Sequence, residues 1–379
     1  MKILVFSPYY PPHIGGLENH ADEFNYHLAR LGYEISVFTP RIPIDAKEIE
    51  NRYKNVKVFR FPAFEIIPNY PLPKLWSLRF WQLFMTLFQQ KFDVVISRTR
   101  FFVTTPMAFL FSKLKNTKWM HIEHGSDFVR LSSQFSTLLA RIYDETLGRL
   151  MISSSDINVS ISQAVQSFIK RFDKRASPLI YRGINFGFIN KVKPRIYFRR
   201  KYKGKILLSF SGRLYKWKGV ENTIKAIKGM SEPLKRRIIF IIMGDGEDLD
   251  RLKNIADNYV LFTGKITRQE VISFLKISDV YIHSSFSGGG LSTSLLEAIY
   301  CGCRIVATPG EGAKEILNDN NFGILIKESS SAAIKAGIVD MCENIKELSS
   351  SKDQQKFVEA NFNWQNSIDK YNLLIKTLV

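Results

Sequence analysis

The chain has 379 residues, 45% of them hydrophobic, with a mean hydropathy of −0.09. That length exceeds one core of ordinary size, so two domains are expected, and no apolar run reaches the length of a membrane-spanning helix. Lys and Arg number 54 against 35 Asp and Glu, a formal charge of +19, which calls for nucleic acid, an anionic membrane surface or an anionic substrate, or else for a solvated basic face.

Residues 3–6 read as a strand. No cleavage region follows, so the protein is expected in the cytoplasm. A loop at 7–16 ends in Gly15-Gly16. Leu17, Ala21, Phe24, Leu28 and Leu31 then recur at helical spacing until Gly32, and 34–39 is the next strand. Strand, glycine loop, helix and strand make a Rossmann-like unit. Further strands are expected at 56–61, 94–97, 119–122 and 157–160. Residues 72–92 carry Trp76, Phe80, Trp81, Phe84 and Phe88 among Lys74, Arg79 and Lys91. Such a segment either lies in a membrane interface or packs within the first domain. Residues 170–205 hold thirteen Lys and Arg and one acid, Asp173. The domain boundary is set there, with a first domain over 1–185, a basic linker over 186–203 and a second domain over 204–363.

The second half repeats the pattern. Strands are expected at 206–210, 238–243, 260–262, 280–283, 305–307 and 323–326, with a helix through Val220, Ile224 and Ile227. Thr267 and Glu270 make a capping box ahead of 271–275. Cys301, Cys303 and Cys342 are too few for a disulfide framework; they fit a reducing compartment, and the first two read as small buried residues.

Four segments carry chemistry. Gly288-Gly289-Gly290-Leu291-Ser292 turns into a helix bearing Glu297, broken by Gly302 before a strand. Glycines admit a ligand to the backbone, a helix N-terminus offers N–H groups to an anion, and a carboxylate there takes hydroxyls of a ribose. Arg213 and Lys218 stand five apart in a loop at a strand's carboxyl end, where two cations converge on a diphosphate. Gly15-Gly16 occupies the corresponding place in the first half. His121 and His124, three apart in an extended segment, point to opposite faces, which argues against a shared metal. Asp248 and Asp250 read as acids favoured at a helix start.

Taken in order, these segments resemble the retaining glycosyltransferases of family 4. Glu297-Ala298, Gly302 and Ile305-Val306-Ala307-Thr308 match the family's glutamate helix and strand. Gly212-Arg213 with Lys218-Gly219 matches its Arg/Lys loop, and His124-Gly125 with Asp127 its histidine segment. The family's first acid, eight positions before Glu297, is Gly289 here. The resemblance implies an α/β protein of the GT-B fold, two Rossmann-like doubly wound domains facing a central cleft. The first would bind the acceptor and the second the nucleotide sugar, with a C-terminal helix, 364–379, packing back on the first. It implies catalytic roles for His124, Arg213 and Lys218. Donor contacts fall to Gly15, Gly16, Gly244, Gly264, Gly290, Leu291, Ser292 and Glu297, and an acceptor-side contact to Asp127. No metal or cofactor is implied beyond the nucleotide-diphosphate sugar as co-substrate.

The expected activity is sugar transfer, with retention of configuration, to a glycan or lipid-linked acceptor in cell-surface polysaccharide, lipopolysaccharide or glycolipid synthesis. The charge adds an anionic membrane surface as partner, on the inner face of the cell membrane. A nucleic-acid partner is not expected, because no nucleic-acid module is present. Gly289 leaves a second reading open, a nucleotide-sugar-binding protein with little or no turnover.

Overall fold

Continuous apolar runs such as Lys2–Phe6 and Ile238–Met243 suit parallel strands covered on both faces. Both runs lie inside parallel sheets. The computed structural model describes residues 1–67, 70–129, 134–286, 289–310, 312–317, 322–344 and 351–379. The chain divides into two units, Met1–Gly183 with Trp364–Val379, and Ile184–Asn363.

The first unit runs β1 (Lys2–Phe6), α1 (Gly16–Arg30), β2 (Glu34–Pro40), β3 (Ile49–Tyr53), β4 (Val56–Phe61), β5 (Ala63–Ile67), β6 (Tyr70–Pro73) and α2 (Leu78–Phe88). It continues with β7 (Val94–Arg98), α3 (Thr104–Lys115), β8 (Lys118–Glu123), α4 (Gln134–Tyr143), a π turn (Asp144–Gly148), α5 (Arg149–Ser154), β9 (Ile157–Ser160) and α6 (Gln163–Ile169). The sheet order is β3-β4-β2-β1-β7-β8-β9, parallel except for the edge strand β3, while β5 and β6 form a separate hairpin. Phenylalanines fill the core, among them Phe6, Phe38, Phe59, Phe61 and Phe111. Of the two fates open to residues 72–92, packing holds for one face of α2, which buries Phe80, Leu83 and Leu87. The other face exposes Leu78, Trp81 and Met85.

The second unit begins with α7 (Phe186–Lys191) and α8 (Ile196–Lys201). The stretch 186–203, expected as a linker, is therefore part of the second unit, docked by buried Ile189 and Val192, by Phe198 against Phe274 and by Arg199. Arg199 makes two hydrogen bonds to Asp279, of 2.8 and 3.1 Å, and Lys276 Nζ donates to Val192 O at 2.7 Å. The unit continues with β10 (Ile206–Ser211), α9 (Val220–Lys228), α10 (Glu232–Lys235), β11 (Ile238–Met243), α11 (Leu249–Ile255), β12 (Val260–Gly264) and α12 (Arg268–Leu275). It ends with β13 (Val280–His283), α13 (Thr293–Tyr300), β14 (Arg304–Ala307), α14 (Ala313–Leu317), β15 (Gly323–Leu325), α15 (Ser331–Asn344) and α16 (Ser351–Asn361). Its six strands are all parallel, in the order β12-β11-β10-β13-β14-β15. Thr267 and Glu270 form both bonds of the capping box that starts α12.

The last helix, α17 (Trp364–Leu378), belongs to the first unit. Trp364 Nε1 donates to Glu23 at 3.0 Å, Tyr33 donates to Asn372 at 2.7 Å, and Tyr371 meets Phe24 edge to face. Among the described residues no helix is long and apolar enough to cross a membrane.

Candidate functional site

Strand order reverses beside β1 in the first sheet, between β1 and β7, and beside β10 in the second, between β10 and β13. At such a switch point the loops leaving the carboxyl ends part and open a crevice for ligand. The residues picked out from the sequence lie at strand ends, on the loops after them or at helix starts, except Glu297, which lies within α13.

In the second unit the loop after β10 carries Arg213 and Lys218, both half-buried. Arg213 Nη1 donates to Tyr215 OH at 3.4 Å, and Lys218 Nζ sits 4.3 Å from the centre of the Trp217 ring. A short 3-10 turn, Lys216–Lys218, sets their spacing. The loop is moored to the end of β13, where Ser284 Oγ donates to Lys218 O at 2.8 Å and Phe286 N donates to Trp217 O at 3.1 Å. Gly244 is required at the end of β11. Its φ is +149°, and a Cβ there would lie 1.9 Å from Gly212 O. Its N–H donates to the carbonyl of Gly264, at the end of β12, at 3.1 Å. Backbone alone therefore lies where these three strand ends meet.

The helix after β13 is anchored by Ser292, whose Oγ accepts from Leu295 N at 3.4 Å as the N-cap of α13. Gly290 and Leu291 ahead of it are buried; Gly288 lies outside the described residues. Glu297 is 5% exposed. Its Oε1 accepts from Arg268 Nε at 2.9 Å and lies 2.7 Å from Arg268 Nη2. Arg268, the first residue of α12, stacks its guanidinium over Phe188 at 5.2 Å. Reading the sequence missed this arginine, which stands 29 positions away with no motif to mark it. Asp248 is held by Arg251 at 3.0 Å, in keeping with an acid near a helix start.

In the first unit, Gly16 opens α1 and Gly15 is its N-cap. A Cβ on Gly15 would lie 2.3 Å from the Glu18 carboxylate, so the missing side chain makes room for Glu18. Buried Glu18 is within 2.5 Å of His13 Nδ1. After β8, the buried Glu123 organises the next loop. Its Oε1 accepts from the N–H groups of His124 and Gly125 at 2.9 and 2.7 Å. Its Oε2 faces His121 at 3.2 Å and Arg100 at 3.4 Å, and Arg100 reaches Asp144 at 3.0 Å. Burial alone would raise the Glu123 pKa. Arg100 and the hydrogen bonds from His121 and Gly125 overcome it and hold the carboxyl well below the usual range.

His121 turns inward, bonded to Ser97 at 2.8 Å, while His124 sits past the strand end. The His124 ring meets the His20 ring edge to face at 4.9 Å. His20 Nδ1 pairs with Arg98 Nη1 at 2.9 Å, and Arg98 is fully buried. Burial first, then the Arg98 charge, hold both imidazoles well below their ordinary pKa, so both are neutral at pH 7. Arg182, also buried, donates to Gly16 O at 3.4 Å. Asp127 turns its carboxylate back on its own loop, accepting from Phe128 N at 2.8 Å, and its carbonyl accepts from Arg100 at 3.0 Å. His20, Arg98, Arg100 and Arg182 were not picked out from the sequence as site residues. The available signal was Arg98 at the end of β7 and Arg100 two residues beyond it.

Comparison with known proteins decides the family. The model described as Glycosyl transferases group 1 matches residues 196–364, and that described as Glycosyltransferase Family 4 matches 14–188. An uncharacterized glycosyltransferase of Methanocaldococcus jannaschii is 46% identical over 390 residues, covering 100% of this chain and 99% of the relative. The chain belongs to the family 4 glycosyltransferases. An α-1,4-N-acetyl-D-galactosaminyltransferase of Campylobacter jejuni, named for an undecaprenol-diphosphate-linked acceptor, is 27% identical over 300 residues. That match covers 78% of this transferase and 76% of the relative. Among solved structures, sucrose-phosphate synthase of Thermosynechococcus elongatus matches 100% of this transferase and 98% of its own chain, with a TM-score of 0.81 at 16% identity. Anabaena HepE in complex with UDP and glucose matches 100% of both chains with a TM-score of 0.77 at 18% identity. The transferase thus has the GT-B fold, with the Arg213–Lys218 loop and the Glu297 helix inside its group 1 segment and the His124 loop inside its family 4 segment.

Proposed function

We propose that this transferase moves a sugar from a nucleotide-diphosphate donor to a glycan or lipid-linked acceptor with retention of configuration, without a metal. The observation that carries the reading is the Arg213–Lys218 loop at the second sheet's switch point, moored to the end of β13. Two cations there neutralise charge as it develops on a departing diphosphate. Glu297 is held in place by Arg268 through Oε1, and its carboxylate takes ribose hydroxyls. Solved HepE binds UDP and glucose, which supports a donor of this class. In the first unit, His124 is suited to hydrogen-bonding a sugar hydroxyl and the Gly15-Gly16 helix start to receiving an anion. The sequence offers no clear carboxylate nucleophile, so attack on the face the diphosphate leaves, assisted by its oxygens, is the mechanism favoured.

The acceptor is taken to be membrane-bound because the charge of +19 suits an anionic surface and the Campylobacter jejuni relative is named for a lipid-linked acceptor. Synthesis of a surface polysaccharide, lipopolysaccharide or glycolipid is the matching role. A panel of nucleotide sugars tests the reading: one donor raises the melting temperature and is consumed in the presence of a lipid-linked acceptor. Stabilisation by no nucleotide or nucleotide sugar overturns it. Gly289, in place of the family's first acid, favours a second reading as a donor-binding protein without turnover. Stabilisation without consumption or hydrolysis of donor selects that one.

A further inference from the structure

The loop after β8 leads into α4, the π turn and α5, which together form one helical stretch over 134–154. Its inner side buries Ala140, Asp144, Gly148, Met151 and Ile152. Its outer side carries Phe135, Leu138, Leu139, Ile142, Leu147 and Leu150, each between 45% and 71% exposed. The first four follow the helical steps of three, one and three. Leu147 is five further on, a step that would leave the stripe in a helix of about 3.6 residues per turn. The π turn, Asp144–Gly148, starts two residues after Ile142 and contains Leu147, and its i to i+5 bonding turns Leu147 and Leu150 back toward the stripe. A local irregularity thus keeps a solvent-facing apolar stripe in register over six residues. Soluble surfaces rarely carry such a continuous patch without an occupant.

What borders the stripe identifies the occupant. The basic turn Lys170, Arg171, Lys174 and Arg175 is tied to α5 by three bonds. Arg149 Nη2 donates to Arg171 O at 3.4 Å, and Arg175 Nη2 donates to Ser153 O at 3.0 Å and to Ile152 O at 3.4 Å. Exposed Arg149 sits between the turn and the stripe, and Asp173 is the turn's one acid. The exposed acid of the helical stretch, Glu145, is paired with Arg141 at 3.8 Å, and an apolar helix face with this excess of cations fits the boundary between anionic headgroups and acyl chains. In the other apolar patch, Leu75, Trp76, Leu78 and Trp81, Arg79 is paired with Glu48, whereas in the basic turn Asp173 pairs with Arg175 and Lys170, Arg171 and Lys174 are exposed.

We infer that the outer face of residues 134–154, with the basic turn at 170–175, is the surface that seats this transferase on an anionic bilayer. The inference rests on the membrane-bound acceptor proposed above. Flotation with phosphatidylglycerol–phosphatidylcholine vesicles and with phosphatidylcholine alone tests it on the full chain. Binding is expected only with the anionic lipid. The variant L138S/L139S/I142S, all outward residues, lowers the bound fraction about tenfold or more, while W76S/L78S changes it less than about twofold. R171E/K174E shifts the loss of binding to lower salt, since these charges act only within about a Debye length, ~10 Å at 0.1 M. Unchanged melting temperatures show that the variants are folded. If W76S/L78S abolishes binding and L138S/L139S/I142S does not, this surface is wrong although the membrane reading stands. If wild-type protein ignores anionic vesicles at low salt, both fail. If wild-type protein dimerises in sedimentation and L138S/L139S/I142S is monomeric, a second copy covers the stripe and the inference is overturned.

Discussion

The two units share a parallel sheet and a switch point but place their charges differently. In the second, Arg213 and Lys218 are half-buried on a moored loop, and Glu297 is met by a partner that is itself partly exposed. In the first, Arg98, Arg100, Glu123 and Asp144 are all 1% exposed or less. A half-exposed cation stays hydrated and costs little until an anion arrives. A buried one must be compensated by its neighbours or it destabilises the fold. The second unit's charges should therefore govern the reaction, and the first unit's the folded state.

The largest effect expected is on stability. Replacing Arg100 with methionine leaves Glu123 and Asp144 buried without their cation, and should cost about 3–5 kcal/mol in denaturant unfolding. A loss below about 1 kcal/mol would show that the first unit tolerates charge as the second does.

Next come the cations of the second unit. Arg213→Ala and Lys218→Ala should each lower turnover about a hundredfold or more while leaving the melting temperature nearly unchanged. Near-normal turnover in both places the diphosphate elsewhere; a large loss of stability instead erases the contrast between the units.

Glu297→Gln should weaken donor binding about tenfold, the scale of a charge-assisted hydrogen bond. Arg268→Met should do the same indirectly, by releasing Glu297. Calorimetric titration with nucleotide separates the two: the glutamine keeps a polar group near the ribose and the methionine variant keeps the carboxylate. If neither changes affinity, the pair is only structural.

The smallest effect is on pH dependence. His20 and His124 have folded pKa values below their ordinary 6.5, so the unfolded chain binds more protons than the folded one as pH falls past that value. Their contribution is complete above about pH 6.5 and declines as pH drops below it. The melting temperature should fall between pH 6.5 and 5, and His20→Gln should flatten that slope. An unchanged slope would mean that burial of these rings is not what the titration senses.

Much of the second half was legible because its signals are local. Gly244 must be glycine for its positive φ and its approach to Gly212, and Thr267 with Glu270 shows in four residues how α12 begins. That Arg213 and Lys218 share one strand-end loop was legible for the same reason. What was missed depends on distance. Arg98 meets His20 across 78 positions, and Arg100 meets Asp144 across 44. Residues 186–203 read as a linker because a run of cations looks solvated, yet Arg199 is positioned by Asp279.

By itself, then, the sequence determined the parallel strands, though not β3, β5 and β6, together with the glycine turns and the family, because backbone conformation, periodicity and motif spacing are properties of neighbouring residues. Only the tertiary structure decided which charges are buried, that Glu297 belongs with Arg268, and which side of 134–154 faces out. A helical apolar stripe has the same spacing whether it meets a core or solvent. Its direction is fixed by what the opposite face packs against, here Asp144 on Arg100 and Met151 and Ile152 in the interior.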